Sequence, residues 1–436
     1  MTESNKITSL TTYDIRFPTS ENLDGSDAIN KDPDYSAAYV EITAEQGNKG
    51  YGLVFTIGRG NDICCQAIES MRHLVIGYDF NDIKANIAAF YDSLRGDSQL
   101  RWLGPEKGVI HMAAGAIVNA AWDMWARDAG KPLWRLLSDM TPEEFVSCLD
   151  FRYVTDVLTK EEALAMVTKN QATKAERIKY IEDNGYPSYT TSAGWLGYSD
   201  EKLARLAKEA LDQGFKHIKL KVGVDLNDDI RRCSIAREVV GDEVKLMIDA
   251  NQNWEVDQAI KWVNQLAAAK PWFIEEPTSP DDIFGHKKIR ENIGDIKVAT
   301  GEHCQNRIMF KQFIANDALD IVQIDSCRLA SVNEILTVYL MAAKFNKAVC
   351  PHAGGVGLCE YVQHLSMIDY VQISADLTDR VVEFVDHLHE HFEDPCKIID
   401  GAYAAPQMPG YSIKMFENSI AQYQYPNGSE WQKRLA

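Results

Sequence analysis

The sequence lacks any apolar run near the roughly 20 residues that a membrane-spanning helix needs, although 45% of its 436 residues are hydrophobic. Its first 17 residues contain neither the apolar core of a secretory signal nor the Arg-rich amphipathic pattern of an organelle-targeting peptide. These absences predict a cytoplasmic protein with no membrane partner.

An excess of positive charge is also missing. The 64 Asp and Glu residues outnumber the 45 Lys and Arg residues, which gives a formal net charge of −19 at pH 7. Because phosphate groups repel so acidic a chain, we expect neither a nucleic-acid partner nor binding to an anionic membrane.

The nine cysteines include no Cys-x-x-Cys pair, so the sequence indicates neither a zinc knuckle nor a thioredoxin-like redox motif. Several of them lie in apolar runs, as Cys350 does after Val349. Free cysteine behaves as a small apolar residue. We therefore predict buried, reduced thiols.

No Gly-x-Gly-x-x-Gly phosphate loop follows an early strand. This absence disfavours an open doubly wound sheet, which is the alternative architecture for a chain of alternating strands and helices.

Before residue 148, two other patterns stand out. Residues 36–57 read as a β-hairpin, and the small apolar residues 113–122 predict a buried helix.

Short apolar runs that end in a polar residue recur from residue 215 and are separated by helical stretches. Strands that alternate with helices predict a parallel sheet. Six such units in succession favour an α/β fold of the (β/α)-barrel (TIM-like) type, whose active sites lie at the carboxyl ends of the strands. The runs are residues 215–221, 245–249, 271–275, 297–302, 320–325 and 348–352.

Three successive runs end in a carboxylate, namely Asp249, Glu275 and Glu302. Neighbouring strands lie about 4.8 Å apart, so their terminal side chains can converge on one point. Three converging anions would repel one another unless a cation joined them, and oxygen ligands suit Mg²⁺. The alternative is three unrelated, solvated acids.

Lysines flank Leu220, and alternation along a strand places Lys219 and Lys221 on the same face. We expect mutual repulsion and a nearby metal to lower the pKa of these lysines, so that one could act as a general base.

Asp325 and His352 end the next two runs, where the aspartate would fix the imidazole tautomer. For His387, His389 and His391 we expect a structural or surface role, because their spacing fits no metal motif.

These residues resemble the enolase superfamily, in its mandelate racemase-like branch and, within that branch, the L-fuconate dehydratases and their eukaryotic relatives. The resemblance covers nearly the whole chain and is carried by several long stretches. They are RFPTS at 16–20, DPDYSAAY at 32–39, QLRWLGPEKG at 99–108, GWLGYSD at 194–200, IEEPTSPDD at 274–282, PHAGGVGLCE at 351–360, and residues 383–391.

The resemblance implies an α+β capping domain over residues 1–147, a barrel over 148–395, and a tail over 396–436 that completes the capping domain. It also implies one Mg²⁺ per active site, bound by Asp249, Glu275 and Glu302, and assembly into a homo-oligomer. Lys221 and His352 would be the acid/base pair, with Asp325 orienting His352. The expected substrate-binding residues are Gly25, Ser26, Asp27, Tyr35, Lys219, Asn251 and Glu383.

The expected activity is a hydro-lyase reaction on a sugar acid, with L-fuconate converted to 2-keto-3-deoxy-L-fuconate and water. Lys221 would take the C2 proton, a metal-stabilised enediolate would form, and His352 would protonate the departing 3-hydroxyl. Several alternatives stay open. They are dehydration or epimerisation of another 2-hydroxy acid, a non-catalytic binding role on the same fold, and a metal-free glycosidase barrel with paired carboxylates.

Overall fold

The computed structural model describes residues 3–436 of the chain. Its N-terminal part is built on an antiparallel three-stranded sheet with β2 at the centre. The pairing of β2 with β3 runs from Ser36 opposite Thr56 to Thr43 opposite Lys49, which confirms the predicted hairpin. The strands are β1 (Ile7–Arg16), β2 (Ser36–Ala44) and β3 (Lys49–Thr56).

Eight helices accompany this sheet in the N-terminal part, and the longest of them, α6, is buried over most of its length, as predicted. Its small residues let β3 approach closely, because a side chain at Gly50 or Gly52 would overlap the helix backbone. No helix within residues 3–436 combines the length and apolarity needed to cross a membrane. The helices are α1 (Asn61–Ser70), α2 (Arg72–Val75), α3 (Phe80–Ala85), α4 (Ile87–Arg95), α5 (Leu100–Leu103), α6 (Gly108–Asp128), α7 (Leu133–Asp139) and α8 (Pro142–Ser147).

Parallel strands follow in chain order and form a barrel. The last of them, β11, pairs with the first, β4, and the Glu383 amide donates to the Pro351 carbonyl at 3.2 Å on the other side. This closure confirms the predicted (β/α)-barrel, and the open doubly wound alternative is wrong. The strands are β4 (Tyr186–Thr190), β5 (His217–Lys221), β6 (Lys245–Asp249), β7 (Pro271–Glu275), β8 (Lys297–Thr300), β9 (Ile321–Val322), β10 (Ala348–Val349) and β11 (Val382–Phe384).

Three of the predicted strands are shorter than expected. The run 297–302 ends as a strand at Thr300, and the runs 320–325 and 348–352 keep only two strand residues each. Their polar ends leave the regular ladder, although Asp325 and His352 still pair in an isolated parallel bridge. Single backbone hydrogen bonds continue the pairing there, as from the His352 amide to the Ile324 carbonyl at 3.0 Å.

Helices cover the outside of the barrel, with two of them preceding β4 and one following each strand from β4 to β10. They are α9 (Lys160–Lys169), α10 (Lys174–Asn184), α11 (Asp200–Asp212), α12 (Leu226–Val240), α13 (Val256–Leu266), α14 (Ile283–Arg290), α15 (Arg307–Ala315), α16 (Val332–Lys344) and α17 (Leu358–Ile368). A π-helical segment, Asp369–Ser374, extends α17.

Apolar side chains fill the barrel interior beneath its carboxyl end and thereby support the residues above them. Cys350 belongs to this layer, and eight of the nine cysteines are buried, as predicted. The other members of the layer are Tyr189, Met247, Phe273, Ala299, Ile321 and Val381.

The C-terminal tail contacts both parts of the molecule. Its strand β13 pairs antiparallel with β4 of the barrel, while the Trp431 indole donates to the Arg16 carbonyl of the capping part at 2.9 Å. The predicted domain boundaries at 147/148 and 395/396 stay predictions. The tail elements are β12 (Ile398–Ile399), β13 (Ala402–Tyr403), α18 (Glu417–Tyr423) and α19 (Ser429–Leu435).

Candidate active site

The three predicted carboxylates meet at the carboxyl end of the barrel. Asp249 and Glu275 are the last residues of β6 and β7 and lie side by side in register. Glu302 follows two residues after β8 rather than ending it. All three are buried, and each offers an oxygen atom within 4.8 Å of the others. Convergence of these side chains therefore agrees with the sequence prediction.

The electrostatics of this trio fit a hard cation. Burial and the charge of Asp249 raise the pKa of Glu275 to about 8, and burial together with neighbouring charges also raises that of Glu302. Among the described residues, Glu275 Oε1 and Glu302 Oε2 have no hydrogen-bond partner, although both atoms are buried. Unpartnered carboxylate oxygens in a buried site are the ligand type that Mg²⁺ prefers.

Both lysines of β5 point toward this trio, as alternation predicts. Lys221 Nζ lies 2.6 Å from Asp249 Oδ2, and Lys219 Nζ lies 2.7 Å from Glu275 Oε2 and 3.1 Å from Glu383 Oε1. Burial lowers the pKa of each lysine, but the facing carboxylates raise it further, so both pKa values lie above their usual range. The expected lowering is therefore wrong for this arrangement, because attraction to the acids exceeds the mutual repulsion of the lysines.

Asp325 and His352 form the predicted dyad. Asp325 Oδ2 lies 2.9 Å from His352 Nδ1, and the other ring nitrogen lies 3.5 Å from Glu302 Oε2. Burial alone would lower the pKa of His352, but Glu302, Asp325 and Glu383 together raise it to about 10. A protonated imidazole held in this way can donate a proton at Nε2.

A cavity of about 380 Å³ opens above these groups, between the barrel end and the capping part. It is lined by both members of the expected acid/base pair and by five of the seven expected substrate-binding residues. The acid/base residues are Lys221 and His352, and the substrate-binding residues are Gly25, Asp27, Tyr35, Asn251 and Glu383. Asp325 and Glu302 line the cavity as well.

Two of the expected substrate-binding residues do not line the cavity. The Ser26 hydroxyl lies instead 2.7 Å from the Leu23 carbonyl in its own loop and 3.0 Å from the Leu196 carbonyl in the loop between β4 and α11. Lys219 is fully buried beneath the carboxylates. Gly25 itself is required by close packing, since its φ is +83° and a side chain there would overlap the Tyr35 ring.

Sequence reasoning missed a hydrogen-bonded group beside Glu302. The Gln252 amide nitrogen lies 2.9 Å from Glu276 Oε2 and 2.7 Å from His303 Nδ1, which is itself 3.0 Å from Glu276 Oε1. Asn251, Gln252 and Glu276 all adopt φ between 42° and 67°, a strained region for residues with side chains. The acidic pair Glu275-Glu276 is the sequence signal that could have revealed this group.

Arginine and aromatic side chains of the cavity were also missed. Arg59 and Arg328 add positive charge, whereas Phe55 and Trp195 add apolar surface. Phe55 lies near the end of β3 and the other three lie outside regular helices and strands, at positions distant in sequence that no periodic pattern marks. His303 also lines the cavity.

The three alternating histidines make separate contacts. His387 stacks on Tyr35 with ring centroids 5.3 Å apart, and His391 stacks on Phe17 at 4.5 Å. His389 contacts Glu360 at 2.7 Å. These contacts are consistent with structural roles for His387 and His391.

Comparison with known proteins agrees with this architecture. Residues 28–138 match the mandelate racemase / muconate lactonizing enzyme N-terminal domain, and residues 202–419 match the enolase C-terminal domain-like family. Human mitochondrial enolase superfamily member 1 is 53% identical over 99% of this chain and 98% of its own length. L-galactonate dehydratase of Hypocrea jecorina is 53% identical over 98% of this chain and 96% of its own length.

Solved structures give the same result. The crystal structure of human mitochondrial enolase superfamily member 1 superposes with a TM-score of 0.97 and covers 99% of both chains. L-talarate/galactarate dehydratase of Salmonella typhimurium shares the fold at a TM-score of 0.74, with 23% identity, and covers 97% of this chain and 92% of its own. The chain therefore belongs to the enolase superfamily, with the domains of its mandelate racemase/muconate lactonizing enzyme branch.

Proposed function

We propose that the protein is a Mg²⁺-dependent sugar-acid dehydratase, a hydro-lyase, that converts L-fuconate to 2-keto-3-deoxy-L-fuconate and water. The observation that carries the proposal is the position of Lys221 and His352. Both open onto one cavity, and each contacts a different member of the buried carboxylate trio, Asp249 and Glu302 respectively. A base and an acid on the two sides of one charged centre suit removal of a proton and a hydroxyl from neighbouring carbons.

The residues that would hold Mg²⁺ are Asp249, Glu275 and Glu302, whose oxygens fit a hard cation as described above. Several structures of the same fold are described as binding Mg²⁺, among them L-talarate dehydratase from Polaromonas with L-glucarate. When bound, the cation supplies positive charge that makes the proton next to a carboxylate more acidic.

The chain's own residues carry the proton transfers. Lys221 would accept the C2 proton in its neutral form, which it can reach when Mg²⁺ rather than the ammonium group neutralises Asp249. Protonated His352 would donate from Nε2 to the departing 3-hydroxyl, so that water leaves and an enol remains. The enol then becomes the 2-keto-3-deoxy acid. Asp325 keeps His352 in the required tautomer by accepting from Nδ1. Lys219, which we expected to contact the substrate carboxylate, would have to leave Glu275 or Glu383 to do so.

The cavity supports a sugar acid with one carboxylate and an apolar end. Its wall includes the apolar residues Phe55, Ile63, Val109 and Met112. L-fuconate is the 6-deoxy form of L-galactonate, and its terminal methyl group would gain from contact with such a wall. The relative from Hypocrea jecorina is named for L-galactonate, so that acid is the substrate to compare.

A 2-keto product assay on L-fuconate and L-galactonate, with Mg²⁺ and again with excess chelator, tests the proposal. We expect product only with metal, a higher kcat/KM for L-fuconate, and at least a 10³-fold loss of kcat in Lys221→Ala. Lys216→Ala, which changes an exposed lysine just before the same strand, serves as the control and should keep full activity.

Other outcomes separate the alternatives. Product from L-galactonate alone would overturn the choice of L-fuconate but keep the dehydratase. If C2 hydrogen exchanges with deuterated water and no water is lost, the enzyme is an epimerase. No exchange on any sugar acid would favour a binding role. A reaction that the chelator does not inhibit would contradict the proposed Mg²⁺ dependence.

Assembly into a homo-oligomer and a cytoplasmic location also stay proposals. Sedimentation velocity at micromolar protein tests the first, with a monomer as the contrary result. Imaging of the tagged full chain in its own cells tests the second, with an organellar signal as the contrary result.

A further inference from the structure

A second cluster of ligand atoms lies apart from the cavity, between the first turn of α17 and the start of the tail. Cys359, His389 and Cys396 each offer one atom, and these atoms lie within 4.8 Å of one another. Glu360 adds a carboxylate oxygen 2.7 Å from His389 Nδ1. None of the four residues lines the cavity, and the proposed reaction uses none of them.

The separation between Cys396 and His389 matches tetrahedral zinc coordination. Cys396 Sγ lies 3.4 Å from His389 Nδ1. In a tetrahedral zinc site, bonds of about 2.3 Å to sulfur and about 2.05 Å to nitrogen separate those two ligand atoms by about 3.5 Å. Small movements of Glu360 away from the ring would leave room for an ion at the centre.

The histidine ring is held as metal-bound rings usually are. His389 Nε2 lies 2.6 Å from the Val385 carbonyl oxygen, so a proton on Nε2 leaves Nδ1 directed at the cluster. Phe384 stacks on the ring with centroids 5.3 Å apart and an interplanar angle of 10°. Anchoring of the second ring nitrogen by a carbonyl fixes both the tautomer and the orientation of a ligating histidine.

Glu360 provides independent evidence that a cation belongs in this cluster. Its side chain is fully buried. Within the described part of the chain, its Oε2 atom has no hydrogen-bond partner. A buried, unpartnered carboxylate oxygen is costly unless a cation satisfies it.

We propose that Cys359, Glu360, His389 and Cys396 together bind one Zn²⁺ in a closed structural site. Two sulfurs and an imidazole favour zinc over Mg²⁺, and four protein ligands leave no open position for substrate. The ion would tie α17 to the tail. It would also support the active site, because Cys359 Sγ lies 3.5 Å from the Ala353 carbonyl while the Ala353 amide donates to Glu383 at 2.8 Å.

The test uses the full chain, kept in millimolar Mg²⁺ so that the active-site carboxylates are occupied. Zinc is measured by elemental analysis after purification and after addition of Zn²⁺ followed by gel filtration. We expect one zinc per chain in the wild type and in Asp249→Asn, and an increase in Tm on zinc addition. Co²⁺ added in place of Zn²⁺ should give the intense visible absorption of a tetrahedral thiolate site.

Cys396→Ser and His389→Ala should each lose zinc affinity by about 100-fold or more and lose the cobalt absorption. Cys148→Ser changes a buried cysteine outside the cluster and should behave as the wild type. Cys396 is buried, with 8% exposure, so circular dichroism is used to check that Cys396→Ser remains folded. Wild-type protein that binds no zinc, a Cys396→Ser variant that binds it normally, or a Cys359–Cys396 disulfide in the freshly purified chain would overturn the proposal.

Discussion

Asp325 uses both oxygens of its carboxylate to hold other groups in place. Oδ1 accepts from the backbone amides of Cys327 and Arg328, both at 2.7 Å, while Oδ2 faces His352 Nδ1 at 2.9 Å. The carboxylate is therefore fixed by the backbone and in turn orients the imidazole. Replacing the carboxylate with the amide of asparagine changes the contact with His352 and leaves both backbone hydrogen bonds possible.

We expect Asp325→Asn to reduce kcat for dehydration by about 10² to 10⁴, as loss of an orienting carboxylate does in other acid/base sites. Its Oδ1 would stay on the backbone amides, so an NH₂ group would face His352 Nδ1 and force the other tautomer. Exchange of the C2 proton with deuterated water, carried out by Lys221, should persist. Equal loss of exchange and dehydration would indicate a general structural effect instead.

Asp229 is a buried acid with no role in the proposed reaction. Its Oδ2 accepts from the Gly223 amide at 2.8 Å, whereas its Oδ1 is buried without a partner among the described residues. Burial raises the pKa of Asp229 to about 6. The folded state thus binds this proton more tightly than the unfolded state, so stability falls as pH rises from about 4 to about 6.

Asp229→Asn should therefore stabilise the protein by about 2 to 3 kcal/mol above pH 6, since a pKa difference of one unit equals 1.36 kcal/mol. The difference from the wild type should vanish near pH 4, where both side chains are neutral. Urea midpoints at pH 4 and pH 8 measure it. Asp228→Asn, which alters an exposed neighbour, should show less than about 1 kcal/mol and no such pH dependence. A constant difference at both pH values would contradict the assignment.

At the scale of elements, the contact between β3 and α6 holds the capping wall of the cavity. The backbones approach closely at Gly50 and Gly52, where any side chain would overlap the carbonyl oxygens of Ala120 and Ala116. Phe55, near the end of the same strand, lines the cavity. Packing of a strand on a helix thus sets the position of a residue in the site.

We expect Gly52→Ala to destabilise the protein by about 1 to 3 kcal/mol, because the added methyl group meets backbone that cannot rotate away. Displacement of β3 should also raise KM for the sugar acid more than it lowers kcat. Unfolding in urea and steady-state kinetics measure the two effects. Lys49→Ala on the same strand is the control, and an unchanged Gly52→Ala enzyme would show that β3 can shift freely.

Across the whole molecule, a buried ionic network joins α6 of the capping part to α15 and α16 of the barrel. Glu334 accepts from His111 Nε2 at 2.8 Å and from Arg307 at 2.9 Å. Arg307 also lies 2.8 Å from Glu106 and 3.1 Å from Asp150. Burial opposes the charge on Glu334, but its cationic neighbours keep its pKa well below the usual range.

Glu334→Gln should destabilise the whole protein by about 3 to 5 kcal/mol, because removing one partner leaves buried charge uncompensated. The loss should be cooperative, with capping part and barrel unfolding together in urea as followed by tryptophan fluorescence and circular dichroism. Glu162→Gln, which breaks an exposed pair with Lys344, should cost less than about 1 kcal/mol. Separate transitions in Glu334→Gln would mean that the two parts are held independently.

Local pattern was enough to predict the barrel and most of the active site. Strand runs that end in Asp249 and Glu275 place both side chains at one edge of a parallel sheet, and alternation directs Lys219 and Lys221 to one face. Even so, Glu302, Asp325 and His352 lie beyond the regular strands, where only single backbone hydrogen bonds such as His352 N to Ile324 O at 3.0 Å continue the pairing.

The sequence by itself determined the barrel and the convergence of Asp249, Glu275 and Glu302 with Lys221 and His352 at its carboxyl end, because each position depends on the period of a strand or on residues at strand ends. Only the tertiary structure decided the raised lysine pKa values, the displaced Ser26, and the meeting of Cys359, His389 and Cys396. Those features depend on distances between residues far apart in the chain. Electrostatic energies and ligand geometry depend on distances in space, and the spacing of residues along the chain does not specify those distances.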